Sequence, residues 1–469
     1  MSKTNNSLAR YLDQNPARLS QAADDWGHMV HHQPLGIYCP TSAEDLAEFV
    51  QMASQRKIKI AARGRGHSTL GQAQVSGGVV VDMRALKEVL TMDDEGIWVE
   101  AGATWREVLN ATSTKGRTPP IFTDYIDLTI GGTLSVGGVG AQTYQMGLQS
   151  DNVLELEVVT GSGALIRCSP DKNAELFDAV RAGYGQFGII TKAKVRHVAA
   201  MPMVRYVRTL YSDLSTLLSD QFSLAERGVF EGLQGFAVPN SAEGVAQATG
   251  NAFPEMSFPT SDGAWLFMLE GAKYYTPHAT PDTATLLEGL SHLPNAESVL
   301  DLPYQAYISR LDFVEMALRE AGLWDMPHPW IDVFVPRHAA NDYITHELTQ
   351  LTPADVVGPI LIYPYSASSI QTPNFPLPNS AQCVLFALLR TALPPTPQRV
   401  SQLMQANNAL YTRCLQAGGT GYAIDAFALS PQSWQQHLGE RWPQFAAAKT
   451  RYDPHHLLAP GQQIFRNEN

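Results

Sequence analysis

The chain has 469 residues, 44% of them apolar, and a formal net charge of −12, the make-up of a globular protein with two or three core-forming units and room to bury a large cofactor. The acidic balance argues against nucleic acid or an anionic membrane as the main partner, since both recruit basic surfaces. Cys39, Cys168, Cys383 and Cys414 lie far apart with no CxxC spacing, which fits neither a zinc site nor a dense disulfide framework and predicts free thiols.

At the N-terminus, MSKTNNSLARYLDQNPARLS has no apolar signal core, and no run of about eighteen apolar residues occurs in the chain, so a cytoplasmic protein without a membrane span is expected. Ser42 caps a helical pattern, AEDLAEFVQMASQ, with Asp45 three residues on, and Lys57 to Ile60 alternates like a strand. AARGRGHSTL, from Ala61 to Leu70, follows at once. Gly64 and Gly66 let the main chain approach a phosphate closely, so the loop from Arg63 to Ser68 offers N–H groups and two arginines to an anion. Its histidine, His67, is either presented to a cofactor or merely solvated at a tight turn.

SGGVVVDMRALKEVL and IWVEAGA read as strands around a turn at Asp93 to Gly96, and Thr104 with Glu107 forms a capping box opening the helix TWREVLNATSTKG. TDYIDLTIGGTLSVGGVGAQTYQMG, from Thr123 to Gly147, is a second glycine-rich loop. Two such loops imply a ligand with a pyrophosphate and a large ring system, for which FAD is the natural candidate. Asp124, between Thr123 and Tyr125, is a general base beside a cofactor wall or a turn-capping aspartate. VLELEVVT and ALIRCS form a hairpin about Gly161 to Gly163. GYGQFG, Gly183 to Gly188, matches the dinucleotide pattern in letters, yet a helical pattern precedes it and the strand IITKAKVRHV follows, so a Rossmann NAD site is rejected.

Beyond Met201 glycine thins out and longer helical patterns appear, DLSTLLSDQFSLAE and YISRLDFVEMALREAGLW among them, marking a domain boundary. Trp324 and Trp330 are core or line an apolar substrate pocket, core being slightly favoured. The Glu315–Arg319 spacing reads as a surface pair, and TPNFPLPNS as an exposed loop before QCVLFALLR returns to strand-like or buried helical character. The pairs His31–His32 and His455–His456 have no ligand-like carboxylate spacing, so no metal site is expected.

Eight blocks in order, ARGRGHSTLGQA, TDYIDLTIGGTLS, SDNVLELEVVTGSG, GYGQFGIITKAKV, GLWDMPHPWIDVFVPR, GPILIYP, HLGERWPQFAAAKTRYDP and LLAPGQQIF, closely resemble the cytokinin dehydrogenases (cytokinin oxidases), flavoproteins of the vanillyl-alcohol oxidase or p-cresol methylhydroxylase superfamily. The similarity runs from about Asp24 to Phe465. It implies an α+β, two-domain FAD-binding PCMH-type fold: residues 1–200 as the FAD-binding domain, 201–420 as an α+β substrate cap, and 421–469 as a segment returning to the first domain. It further implies FAD bound covalently through its 8α-methyl to His67. Gly64, Arg65, Gly66, Ser68, Gln72, Asp124, Thr129, Ser135, Val139, Ile190 and Gln462 would contact the cofactor, and Asp124 would be the catalytic aspartate on the substrate amine. Residues 123–147 contain no cysteine, so no second tether is expected.

The expected activity is FAD-dependent oxidation of the secondary allylic amine of N6-isoprenoid adenines, giving adenine and an aldehyde after imine hydrolysis. The expected partners are a small cytokinin-like amine and a quinone or oxygen as acceptor, with no nucleic acid and no membrane. Oxidation of another alcohol, sugar or secondary metabolite, or cytokinin binding without turnover, are the alternatives. Two positions depart from the family pattern: Asp332, where many members carry asparagine, and Ile424–Asp425, where they carry tyrosine–leucine.

Overall fold

Ser42 starts the first long helix as its spacing predicts: its hydroxyl accepts the Asp45 N–H at 3.1 Å, and Leu46, Phe49, Val50 and Ala53 bury one face of Ala43–Gln55. In the computed structural model, which describes residues 11–250, 252–253 and 263–465, this helix connects two strands of a three-stranded parallel sheet. Its members are β1 (Gly36–Tyr38), β2 (Ile60–Arg63) and β3 (Val79–Asp82), in the order β1-β3-β2. β2 begins only at Ile60, later than the alternation predicts, because Lys57 lies at φ 55°, outside strand geometry.

A five-stranded antiparallel sheet packs beside it, comprising β4 (Val89–Met92), β5 (Gly96–Glu100), β7 (Val153–Thr160), β8 (Leu165–Cys168) and β9 (Gly188–Arg196), ordered β4-β5-β9-β7-β8. The hairpin about Gly161 to Gly163 joins β7 to β8, as its turn residues predict. The capping box at Thr104 and Glu107 forms in full, and the helix it opens, Trp105–Ser113, buries Trp105, whose indole N–H donates to Thr133 Oγ1 at 2.8 Å. That bond fixes the second glycine-rich loop to the first unit. β6 (Arg117–Thr118) and β10 (Val198–Ala199) pair as a short ribbon where the chain leaves this unit.

The cap is one eight-stranded antiparallel sheet, ordered β14-β11-β13-β12-β16-β17-β15-β18. Its strands are β11 (Met203–Tyr211), β12 (Gly232–Pro239), β13 (Trp265–Tyr275), β14 (Glu297–Pro303), β15 (Ile331–Pro336), β16 (Ile360–Ser366), β17 (Gln382–Leu388) and β18 (Thr420–Gly421). Helices Leu214–Arg227, Arg337–Thr349 and Pro397–Gln416 pack on it. Cross-strand partners point to the same side. Glu270 therefore shares a face with Arg208 and Gln234, and Leu361 shares that face with Phe236, Ala387 and, through Ala387, Asp332. This face meets the first unit, where the Gln142 amide donates to Tyr274 Oη at 2.8 Å and the Leu233 N–H to the Ala141 carbonyl at 3.0 Å. The helical pattern around residues 307–324 is broken into Tyr304–Ile308 and Asp312–Glu320. The break between them carries Arg310.

The chain end comes back to the parallel sheet. Ile60 N–H donates to the Leu457 carbonyl and Ala459 N–H to the Ile60 carbonyl, both at 2.9 Å, so Leu458 extends the edge beyond β2. Lys449, buried, ties this segment down through Gln186, the Leu458 carbonyl and Asp453. On the helix Pro431–Leu438, both ring nitrogens of His437 are buried without a partner, and burial pushes the imidazole down from 6.5 to about 4. A histidine held neutral in the fold stabilises it above its unfolded value, and that contribution is lost as pH falls from about 6.5 to about 4. His437→Leu is therefore expected to gain stability relative to the parent over that interval and not above pH 7, read as the difference between urea melts across pH.

Candidate functional site

A cleft of about 1170 Å³, its open mouth included, runs between the first glycine loop, the second glycine loop and the returning chain end. Of the positions expected to contact a cofactor, Gly64, Arg65, Gly66, His67, Ser68, Gln72, Thr129, Ser135, Ile190 and Gln462 line it; Gly185 and Gly188 of GYGQFG line it too. Asp124 and Val139 lie outside that lining. Val139 packs with Phe236, Leu361 and Ile424 against an apolar cluster of cap and loop residues.

The first loop has the chemistry of an anion cradle. Gly66 sits at φ 68°, and a Cβ there would meet the Arg63 guanidinium at 2.2 Å, so the turn is reserved for glycine. Among the described residues no protein acceptor takes the main-chain N–H of Arg65, Gly66, His67 or Ser68. Asp25, buried beneath the loop, accepts Ser68 Oγ at 3.0 Å and Gly71 N–H at 2.7 Å and holds its shape. Tyr184 and Gln462 line the same cleft, and Tyr184 Oη and Gln462 Oε1 are buried without partners. Free N–H groups together with orphaned buried polar atoms fit a phosphate-bearing cofactor with a polar ring system.

His67 stands at the cleft wall within an aromatic cluster that the sequence does not announce. Trp26, Tyr125 and Trp330 pack on its ring at centroid distances of 4.7, 5.2 and 5.8 Å, and Trp26 stacks on His328 at 4.1 Å. Trp324 meets the edge of Trp26 at 4.4 Å. Trp324 and Trp330, for which the sequence slightly favours core, are half-buried and belong to this wall: Trp330 packs on His67, and Trp324 meets Trp26 and Tyr125. Burial, with a smaller contribution from His328, pushes the His67 imidazole down to about 4, so it is neutral with a free lone pair at pH 7.

Asp124 lies where the two units meet, one residue before the tyrosine that packs on His67. The Gln234 amide donates to its two oxygens at 2.9 and 2.8 Å, Arg310 donates to Oδ1 at 2.5 Å and Tyr363 Oη to Oδ2 at 3.1 Å. Arg310 also donates to Gln234 Oε1 at 3.0 Å and lies over the Tyr307 ring. Burial opposes the Arg310 charge, but Tyr307, Asp124, Tyr206 and Glu270 hold it protonated. Burial, then the Asp124 carboxylate, raises the Tyr363 phenol well above its ordinary range, so it remains a donor. Behind Phe122, Gly140 lets the loops close, since a Cβ there would fall 1.8 Å from the Phe122 carbonyl oxygen. Gln234, Arg310 and Tyr363 escape sequence reasoning; their only local signal is a polar residue inside the apolar runs GLQGFAVP and ILIYPYS, and at a helix break.

A second carboxyl group faces the same region. Asp332 on β15 and Asp425 after β18 are both buried; Asp425 Oδ2 accepts the Asp332 N–H at 2.7 Å, and Asp332 Oδ1 has no partner. Burial raises both, Asp332 to about 7 and Asp425 well above the ordinary carboxylate range, with the Asp332 charge adding to the effect on Asp425. The Gln72 amide donates to the carbonyls of Ile424 and Asp425 at 3.0 and 3.2 Å, which ties this corner to the cleft.

Fold and cleft together define a two-domain flavoprotein of the FAD-binding α+β class: residues 34–169 match the family model described as "FAD binding domain". Residues 202–465 match the model described as "Cytokinin dehydrogenase 1, FAD and cytokinin binding". The chain belongs to the cytokinin dehydrogenase family and is an FAD-dependent oxidoreductase. It is 33% identical to cytokinin dehydrogenase 1 of Arabidopsis thaliana over 95% of this chain and 81% of that one, and 34% identical to cytokinin dehydrogenase 9 of Oryza sativa subsp. japonica over 96% and 89%. It is 37% identical, over 95% of this chain and 97% of the other, to a protein of Rhodococcoides fascians called "Uncharacterized oxidoreductase ORF5 in fasciation locus".

Removing the Arg310 cation takes from Asp124 its ion-pair partner and from buried Glu270 one of its two nearby cations, leaving Gln234 and Tyr363 on Asp124 and Arg208 with the Tyr206 phenol beside Glu270. Arg310→Met is expected to cost about 3 kcal/mol of stability in urea unfolding, with Arg310→Lys recovering part of it.

Proposed function

We propose that the protein oxidises the secondary allylic amine of N6-isoprenoid adenines, with FAD carried covalently on His67 and Asp124 acting on the substrate nitrogen. The observation that carries this reading is the placement of the Asp124 carboxylate among Gln234, Arg310 and Tyr363, where the cap face meets the loop that packs on His67. When bound, FAD supplies the two-electron acceptor for hydride leaving the carbon next to nitrogen.

The chain's own residues do the rest. The N–H groups of Arg65 to Ser68 would hold the pyrophosphate, and His67, whose ring is neutral, is the residue that would carry the flavin. Gln234, Arg310 and Tyr363 hold the carboxylate as a pure acceptor, ready for the substrate N–H. Phe236, Leu361, Val139 and Ile424 offer an apolar wall that suits an isoprenoid chain and keeps water from the reacting carbon. The product is an imine, which water hydrolyses to adenine and an aldehyde; a quinone or oxygen takes the electrons away.

Stopped-flow reduction of the enzyme by isopentenyladenine tests the substrate: rapid bleaching of the flavin is expected, and bleaching only by alcohols or sugars overturns the assignment. Asp124→Asn is expected to slow that reduction by about a hundredfold or more; an undiminished rate removes Asp124 from the chemistry. Acid-precipitated parent protein should remain yellow, whereas acid-precipitated His67→Ala should be colourless. Free FAD in the supernatant of the parent overturns the covalent attachment.

A further inference from the structure

One side chain of the cap holds two chain segments that meet at the cofactor cleft. Asn407, on the helix Pro397–Gln416, is fully buried. Its amide nitrogen donates to the main-chain carbonyls of Pro329, Trp330 and Ala426 at 3.2, 3.4 and 2.8 Å. The first two belong to the segment that sets Trp330 on His67, and the third to the corner where Ile424 lines the cleft. The Ala426 N–H donates to the Trp330 carbonyl at 2.9 Å, so Asn407 adds a donor to segments that already touch.

An asparagine amide can sit either way round, and Arg390 fixes this one. A guanidinium only donates and a carbonyl only accepts. By donating to Asn407 Oδ1, Arg390 therefore leaves the amide nitrogen for the three carbonyls. Arg390 is itself buried, and its Nε has no partner. The two acids whose charge reaches it are engaged elsewhere, Glu347 by Arg413 and Asp355 by Thr352. A buried cation without its own counter-ion costs stability, so a purely structural contact here would be served better by an apolar side chain of similar length. The next two residues grip the same segment: Thr391 Oγ1 meets His328 Nδ1 at 3.3 Å, and the Ala392 N–H donates to the Pro327 carbonyl at 2.8 Å. His328 in turn stacks on Trp26, which packs on His67.

We infer that Asn407, oriented by Arg390, is a positioning residue for the cofactor site, setting how closely Trp330 stands against His67 and where Ile424 stands in the cleft wall. Asn407 does not itself line the cleft. Its effect travels through the main chain: moving the Trp330 carbonyl moves the ring of the same residue, and moving Ala426 moves Ile424 two residues before it. This rests on the reading of the cleft as the flavin site and names what keeps its wall in register.

The test compares the flavin-loaded parent with Asn407→Asp and Arg390→Met. In Asn407→Asp a carboxylate meets the Arg390 cation, so the helix keeps its anchor, but no N–H remains for the three carbonyls. Arg390→Met keeps every atom of Asn407 and removes only what orients it, so it carries the test if Asn407→Asp does not fold. Both are expected to melt close to the parent while changing the visible circular dichroism of the flavin and the near-ultraviolet dichroism of the tryptophans. Flavin reduction by saturating isopentenyladenine should slow about tenfold or more, with little change in the substrate Kd. Arg390→Lys, which can still donate to Oδ1, should recover most of both signals. Unchanged flavin dichroism and reduction rate in a variant that folds overturns the proposal. So does a loss that follows melting temperature through all three variants, the mark of a merely structural role. The underlying readings fail differently: a parent that takes up no flavin removes the cofactor reading, and a parent whose flavin isopentenyladenine does not bleach removes the substrate reading but leaves the dichroism test standing.

Discussion

The contact between Asp124 and Arg310 joins the two halves of this protein at the point where chemistry is expected. Asp124 belongs to the second glycine loop of the FAD-binding domain, and Arg310 to a helix break in the cap. Gln234 and Tyr363, from β12 and β16, complete the ring around the carboxylate. If the domains separated, a carboxylate would lose its donors and a guanidinium its counter-charge inside a poorly solvated region. The same ring that orients the Asp124 carboxylate therefore also ties the cap to the second glycine loop. Stability and alignment rest on one set of bonds.

The cofactor side obeys a different logic. Among the described residues the N–H groups of Arg65 to Ser68 have no protein acceptor, and glycines stand where any Cβ would collide with the Arg63 guanidinium or the Phe122 carbonyl. The aromatic packing of Trp26, Tyr125 and Trp330 about His67 keeps the ring neutral and in one orientation. The Asp332–Asp425 pair, in contrast, is a polar feature in an apolar wall.

Much of the cofactor site was legible in the residues. Glycine spacing, the Ser42 and Thr104 caps and the hairpin about Gly161 to Gly163 are local signals, because backbone conformation and short-range hydrogen bonds depend on neighbours in the chain. The flavoprotein family was legible too, through blocks spread from Asp24 to Phe465. The placement of Trp330 on His67, and of Trp324 on Trp26 and Tyr125, was not, since aromatic residues in an irregular segment satisfy a core and a pocket wall equally well.

What the amino-acid sequence determined by itself is the set of loops able to hold a phosphate-bearing cofactor, the break between a glycine-rich first domain and a helix-richer cap, and the candidates His67 and Asp124. Only the tertiary structure decided what Asp124 touches. Gln234 is 110 residues away in sequence, Arg310 is 186 and Tyr363 is 239, and only the register of an eight-stranded sheet and the docking of that sheet on the first domain bring them within hydrogen-bonding distance. The same register sets Asp332 at the end of a row with Leu361 and Phe236. Strand pairing is a long-range choice driven by burial of whole faces, so no local pattern in the chain encodes which polar side chains will share one.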